Sequence, residues 1–513
     1  MFVVGFHRMI FRINWKTIMT TLTATASDTA GPLQQFQDSL KTGDVAAALA
    51  DGLIGKDAFI DGPFGRKPLV YADYVASGRA LMQVERFVLE QVLPYYANSH
   101  TEASYCGGFI TRLRREARAA IARCCGASDA HAVIFAGSGA TAGINRLVHL
   151  FGVDAAVAAG KPVRVIIGPY EHHSNILPWR ECGADIVEVP ESAQGGPDLA
   201  ALDAALAAPA GTLVICALSA ASNVTGIAAD VAGITRQVKA AGAKMLWDYA
   251  GGAPYLPIQM SPATDAQIDA IVFSPHKFIG GPGASGVLIV RRDAVLDTTP
   301  TWPGGGTVKF VSPEGHDYSG SLESREEAGT PNVVGDIRAA LVLLVKDALG
   351  ADFMRQRNAH FVQRALAAWQ GADQLELLGS LSANRLPIFS FRVRNAQGGF
   401  VHQQLVTRLL SDRFGIQARG GCACAGPYVH RLLDIDQAQS RQMRQAILDG
   451  REIEKPGFVR LNFSVLLSDE KADFILESVL ALANDACQFE TRYGFDPSRA
   501  IFFPQHTEME MSI

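Results

Sequence analysis

A lysine that follows directly on a strand-like run and precedes paired glycines is the chemical centre of this chain. The run Ile271-Val272-Phe273-Ser274-Pro275-His276-Lys277-Phe278-Ile279-Gly280-Gly281 passes from apolar residues into Ser, His and Lys, then into a glycine turn. An amine placed there can hold a carbonyl compound as a Schiff base, then act as base and acid beside it. Asp248 closes an earlier strand-like run, Lys244-Met245-Leu246-Trp247. Its carboxylate can keep a ring nitrogen protonated, so that the ring withdraws electrons. Lysine and aspartate together predict pyridoxal 5'-phosphate (PLP) as cofactor.

Other residues fit around that pair. Gly137-Ser138-Gly139-Ala140-Thr141 stands between a predicted strand and a predicted helix. Backbone N–H groups near Ala140 and the Thr141 hydroxyl suit a phosphate there. Ser274 and His276 can face the same phosphate. Glu171-His172-His173-Ser174-Asn175 offers an imidazole, His172, to stack on a planar ring and move protons. Asn223, in Ser222-Asn223-Val224-Thr225-Gly226, can donate to a ring oxygen. Arg419 suits a two-pronged grip on a substrate carboxylate. Cys424, on a Gly/Ala loop, reads as a mobile, exposed nucleophile. Neither the adjacent histidines nor the lone Cys422-Ala423-Cys424 pair completes a metal set.

The elements that must position these residues follow an alternating pattern. Short β-branched runs at Val133–Phe135, Val163–Ile167, Thr212–Leu218, Met245–Trp247, Ala270–Phe273 and Val287–Val290 read as strands, with helices between most of them. That pattern predicts an α/β domain whose mostly parallel sheet is covered on both faces. Functional residues then gather beyond the carboxyl ends of the strands, where Thr141, His172, Asn223, Asp248 and Lys277 all fall. Leu81–Leu93 and residues 114–124 read as helices. Beyond about residue 350 the pattern becomes that of a smaller α+β domain. Its parts are a helix at Phe353–Trp369, strand-like runs at Arg385–Val393 and Val459–Leu466, helices at Gln403–Asp412 and Glu470–Leu482, and a loop at Gly421–Pro427. From Pro497 the tail reads as irregular.

Bulk numbers bound the class. The chain has 513 residues, 48% of them hydrophobic, and a net charge of -5. That supports a large core and more than one domain, and no basic run points to nucleic acid. Eight cysteines without a disulfide framework suit a reducing compartment, and a cytoplasmic location is expected. No segment is long and apolar enough for stable membrane insertion. Residues 1–27 carry Arg8, Arg12 and Lys16 and no acid. They read as a disordered leader or a misassigned start, with Met19 as the alternative first residue. The expected division is 28–94 as an N-terminal segment serving the small domain and dimer contacts, 95–350 as the cofactor domain, 351–490 as the small domain, and 491–513 as the tail.

The ordered motifs resemble the class V aminotransferase family of fold-type I PLP enzymes, with cysteine desulfurases and selenocysteine lyases most alike. Glu171-His172-His173-Ser174-Asn175 resembles EHHAN, Ser222-Asn223-Val224-Thr225-Gly226 resembles SNVxG, and Ser274-Pro275-His276-Lys277 resembles SGHK. Glu327-Ala328-Gly329-Thr330-Pro331-Asn332 matches EAGTPN, and Arg419-Gly420-Gly421-Cys422-Ala423-Cys424 keeps an RxGxxC spacing. The resemblance covers about residues 68–485. It implies a seven-stranded sheet and a homodimer with shared active sites, Thr330 reaching the partner's phosphate. It also implies ring stacking by His172, carboxylate binding by Arg419, a persulfide on Cys424 and a sulfur-acceptor protein. Asn98 and His100 are expected to line the substrate site. One departure stands out: Gly251 occupies the place of the family's glutamine three residues after Asp248. The expected activity is removal of sulfur from L-cysteine. The alternatives on the same scaffold are selenocysteine lyase, C–S lyase, epimerase and aminotransferase chemistry, and a non-catalytic scaffold protein is a third class.

Overall fold

A computed structural model of the chain describes residues 30–99 and 101–505. The expected leader at 1–27, including Met19, lies outside the described residues, as do His100 and residues 506–513.

Seven short apolar runs assemble into one sheet. They are β1 (His131–Gly137), β2 (Val163–Ile167), β3 (Asp185–Glu188), β4 (Leu213–Ser219), β5 (Lys244–Asp248), β6 (Ala270–Phe273) and β7 (Gly286–Arg291). Their spatial order is β1-β7-β6-β5-β4-β2-β3. Only β7 runs against its neighbours, so the expected mostly parallel seven-stranded sheet is present. Alternate side chains feed two cores. Met245, Trp247, Ile271 and Phe273 enter one, and Leu246, Ala270 and Val272 the other. A strand buried on both faces needs apolar residues at every position, which is why these runs lack a polar alternation.

Helix α1 (Tyr105–Cys124) covers one face; the Ser104 side chain accepts the Gly107 N–H at its start. Helix α2 (Gly139–Leu150) covers the other. Against α1 packs α3 (Val333–Leu349), which is buried around nearly its whole circumference. Asn332 caps α3 by accepting the Gly335 N–H at 3.1 Å. Glu327 is buried between Arg114 and Arg118 and accepts from the Phe135 N–H. Two residues of the EAGTPN motif therefore hold the fold together.

The smaller domain is an antiparallel sheet in the order β8 (Leu375–Leu377), β9 (Ile388–Val393), β11 (Phe458–Asn462), β10 (Arg419–Gly421). Helices α4 (Ala351–Trp369), α5 (Gln403–Phe414) and α7 (Asp469–Asp485) lend it Phe361, Trp369, Leu405, Leu409, Ile475 and Val479. The N-terminal segment serves both cores: Phe64, Val70 and Ala72 join the small one, and Leu33, Phe36, Val84 and Phe87 the large one.

Three expectations need correction. The helix over Leu81–Leu93 is α-helical only at Met82–Phe87, then widens to a π turn at Val88–Val92 and tightens at Leu93–Tyr95. Pro94 has no N–H to continue the ladder there. The tail is not irregular from Pro497: Ile501–Pro504 pairs with Tyr493–Asp496 as a hairpin, and Phe502 is buried in the small-domain core. The loop at Gly421–Pro427 is shorter than expected, because α6 (Gly426–Leu432) begins within it. Among the described residues, no helix is long and apolar enough to cross a membrane.

Candidate functional site

The site forms where β1, β2, β4, β5 and β6 end on one edge of the sheet. A cavity of about 190 Å³ opens there, lined by Thr141, His172, Asn223, Asp248, Ser274 and Lys277 among others. Six residues singled out far apart in sequence thus meet in one cleft.

On one side lies the turn from β1 into α2. Gly139 has φ +67, and a Cβ on it would meet the Ser274 hydroxyl at 2.7 Å and the His276 ring at 3.1 Å. Only glycine lets the helix start approach that closely. The Ala140 N–H donates to Ser274 Oγ at 2.9 Å, so Ser274 is fastened to the helix start. Thr141 Oγ1 lies 2.7 Å from Ser174 Oγ. His276 lines the same end of the cavity.

His172 lines the same cleft, joined to Thr141 through the Ser174 hydroxyl. Its Nδ1 accepts the Ser174 N–H at 3.1 Å and lies 3.0 Å from Ser174 Oγ. Burial, then the nearby Lys277, pushes its pKa down to about 4, so the ring is neutral. The loop is held from below by Glu171, which accepts from the Ser219 N–H and hydroxyl and from the Asn175 amide. Burial raises Glu171 to about 7 despite those bonds.

Asp248 ends β5, and Lys277 lies in the short turn that follows β6; both line the cleft, Asp248 buried and Lys277 half-buried. Burial raises the Asp248 pKa; the Ala250 N–H, donating at 2.8 Å, and Lys277 oppose it. Burial lowers Lys277 to about 8, against the pull of Asp248. An amine in that range gives up its proton far more readily than an ordinary lysine, as a nucleophilic lysine must. Cys424 and the guanidinium groups of Arg460 and Arg419 also bear on Lys277.

The Cys424 loop is tied to the large domain by hydrogen bonds. It spans only the few residues between β10 and α6. Ala423 (φ 51) and Cys424 (φ 53) are both left-handed, a conformation that costs a side-chain-bearing residue about 1–2 kcal/mol. The carbonyl of each is anchored from the large domain. Asn223 Nδ2 donates to Ala423 O, and the His173 N–H donates to Cys424 O, both at 2.8 Å. The thiol remains exposed.

Sequence reasoning missed two members of the site. Arg460 on β11 stands opposite Arg419 on β10. Asp73 accepts from Arg419 Nε at 2.8 Å and from Arg460 Nη2 at 3.0 Å. Arg460 also donates to Asn223 O, and its Nε is buried without a partner. No local motif marks either residue; the available signal was a lone charge within apolar Phe458–Phe463 and the acid of Tyr71-Ala72-Asp73. Four expected residues are exposed and do not line this chain's cleft: Asn98, Thr330, Arg419 and Cys424, of which the last two lie near enough to act on Lys277. No cluster of metal-ligating side chains occurs among the described residues.

A flat, phosphate-bearing aldehyde fits the residues present. The helix start, Thr141 and His276 supply donors for an anion. Asp248 supplies a buried carboxylate for a ring nitrogen, Lys277 an amine, and His172 a neutral ring. Asn223 Oδ1 is buried without a partner beside the same space. Gly251 lines the cavity, and a Cβ there would sit 3.0 Å from Ala221 O. The side chain missing at this position is therefore not compensated by free room.

Residues 70–463 match the Aminotransferase class-V family. The chain is 32% identical over 368 residues to a cysteine desulfurase of Enterobacter sp. strain 638, covering 70% of this chain and 85% of that protein. It is 29% identical over 422 residues to a probable cysteine desulfurase of Vibrio cholerae, covering 80% and 93%. Its fold is similar to apo cysteine desulfurase from Thermococcus onnurineus NA1, with TM-score 0.66, 24% identity, and coverage of 81% of this chain and 95% of that one. A cysteine desulfurase structure from Escherichia coli gives TM-score 0.64 at 22% identity, covering 90% and 100%.

Proposed function

Since the chain belongs to the class-V aminotransferase family, we propose that it is a PLP-dependent, cysteine desulfurase-like enzyme. It takes sulfur from L-cysteine, yields L-alanine and keeps the sulfur as a persulfide on Cys424. The observation that carries this reading is the Cys424 loop, joined by Asn223 and His173 to the wall of the cleft that holds Lys277.

PLP, when bound, supplies an electron sink for bonds broken at the substrate Cα and Cβ. Lys277 holds the cofactor and then moves the proton at Cα. Asp248 keeps the ring nitrogen protonated, and His172 covers the ring. Thr141, Ser274, His276 and the Ala140 region hold the phosphate. Arg419 takes the substrate carboxylate, assisted by Arg460. Cys424, as thiolate, attacks the substrate Sγ. An S–S bond forms as the Cβ–Sγ bond breaks, the electron pair stays with carbon, and protons delivered to carbon complete alanine. Thr330 is exposed on this chain, which suits a homodimer in which it serves the partner's site. A sulfur-acceptor protein then takes the persulfide sulfur.

Gly251 favours a second reading. Without the family's glutamine, the same residues can serve another PLP reaction on an amino acid: epimerisation, β-elimination, selenocysteine cleavage or transamination. Purified protein given L-cysteine and a reductant separates the two. Equal alanine and sulfide, lost in Cys424→Ala, supports desulfuration. Turnover of another amino acid that survives Cys424→Ala supports the second reading.

A further inference from the structure

His173 has no part in the mechanism above, yet it makes two contacts with the loop that carries Cys424. Its backbone N–H donates to Cys424 O at 2.8 Å. Its ring Nε2 accepts the Gly426 N–H at 3.0 Å. The approach is close: a Cβ on Gly426 would sit 3.1 Å from Nε2. The ring thus holds the first turn of α6, and the backbone holds the residue that bears the thiol.

We propose that His173 is a positioning residue, a latch that fixes the Cys424 loop in the one conformation from which the thiol reaches the substrate. The argument rests on strain and its restraint. Ala423 and Cys424 are successive non-glycine residues with positive φ. Such a pair persists only where the surroundings over-determine it. Here the surroundings are three hydrogen bonds from the large domain: one from the Asn223 side chain and two that involve His173. Tyr428 and Arg431 hold the later part of α6, through Thr225 and Glu191 in one case and through Glu188 and Pro169 O in the other. They lie beyond the strained residues and cannot set them. Burial, then Lys455 and Arg180, keeps the His173 pKa below its ordinary value, which leaves Nε2 free to accept. The adjacent His172 faces the cavity instead, so the two histidines divide the work: one covers the cofactor space, the other holds the nucleophile.

The proposal rests on Cys424 being the nucleophile, and the test keeps the two ideas apart. His173→Ala removes the acceptor. His173→Gln returns an acceptor oxygen near the place of Nε2. Two quantities are measured on holoenzyme: amide hydrogen exchange of the segment 422–427, and the single-turnover rate at which L-cysteine makes a persulfide on Cys424. The cofactor absorbance change on adding cysteine serves as the binding readout. His173→Ala is expected to raise exchange in the segment about fivefold, the worth of one hydrogen bond. It should slow persulfide formation by a similar factor or more and leave the absorbance change intact. His173→Gln should restore both. The proposal is overturned if His173→Ala matches wild type in exchange or in persulfide rate. It is equally overturned if binding and persulfide formation fall in proportion, or if His173→Gln is as impaired as the alanine variant. Wild-type protein that makes no persulfide, with exchange still raised in His173→Ala, refutes the desulfurase reading and with it the catalytic purpose of the latch.

Discussion

Arg419 and Arg460 face each other across an antiparallel strand pair, with the Asp73 carboxylate bridging their guanidinium groups. Like charges directly opposite are unfavourable on a sheet unless something offsets them. Asp73 offsets them at the edge of the cleft, and the bridge leaves one net positive charge for a substrate carboxylate. Arg419 is the outer member, with its side chain 55% exposed, and Arg460 is buried.

From that arrangement, Arg419→Lys should raise KM for the amino acid about tenfold, the cost of losing a two-pronged grip, with kcat little changed. Asp73→Asn should act on the fold as well. It leaves a buried Arg460 without its counter-ion, which costs about 3 kcal/mol. Denaturant unfolding of the two variants checks the contrast, since Arg419→Lys should unfold like wild type.

Cofactor attachment should follow the titration of Lys277. Burial lowers this amine to about 8, and Asp248 opposes that shift. The rate at which apoprotein takes up added PLP should therefore rise with pH, with a midpoint near 8. Asp248→Asn removes the opposing charge and should move the midpoint to lower pH. The folded amine loses its proton before the unfolded one does. Its stability cost is thus full below about pH 8 and fades as pH rises toward the ordinary lysine value.

Gly139→Ala should weaken cofactor retention while leaving the two domains folded. The new Cβ would meet Ser274 Oγ at 2.7 Å in a backbone with φ +67, so the helix start and Ser274 must separate. A loss of affinity of at least about tenfold, or 1.4 kcal/mol, is expected in a PLP titration.

How much of this was legible in the sequence depended on locality. The strands could be read because burial on both faces demands unbroken apolar runs, as in Ala270–Phe273. Helix α3 could not, because burial all around leaves Ala339-Ala340-Leu341-Val342-Leu343-Leu344-Val345 without a polar stripe to betray its period. In the site, Lys277, Asp248 and His172 each follow a strand and carry their own signal. Arg460 and Asp73 do not: they meet Arg419 through the pairing of β10 with β11 and the return of the N-terminal segment. The clamp on Cys424 was equally hidden, since Asn223 and His173 lie 200 and 253 residues from the loop positions they bond.

Glu327→Gln should destabilise the large domain without touching the cleft. Burial pushes this carboxyl up, but Arg118 and Arg114 outweigh burial and hold its pKa below the ordinary value. Removing the charge leaves Arg118 without its carboxylate and Arg114 with Asp336 alone, at a cost of about 3 kcal/mol near neutral pH. A lowered carboxyl contributes stability above its unfolded pKa and loses it as pH falls through the folded one. The gap between variant and wild type should therefore close on acidification, as read by unfolding at a series of pH values.

The most direct test of the desulfurase reading is a single turnover of holoenzyme with L-cysteine, followed by mass analysis of the peptide that holds Cys422 and Cys424. The account predicts one alanine per site, with Cys424 heavier by one sulfur atom and Cys424→Ala inert. Cofactor that responds to cysteine while Cys424 stays unmodified and no alanine forms would contradict it.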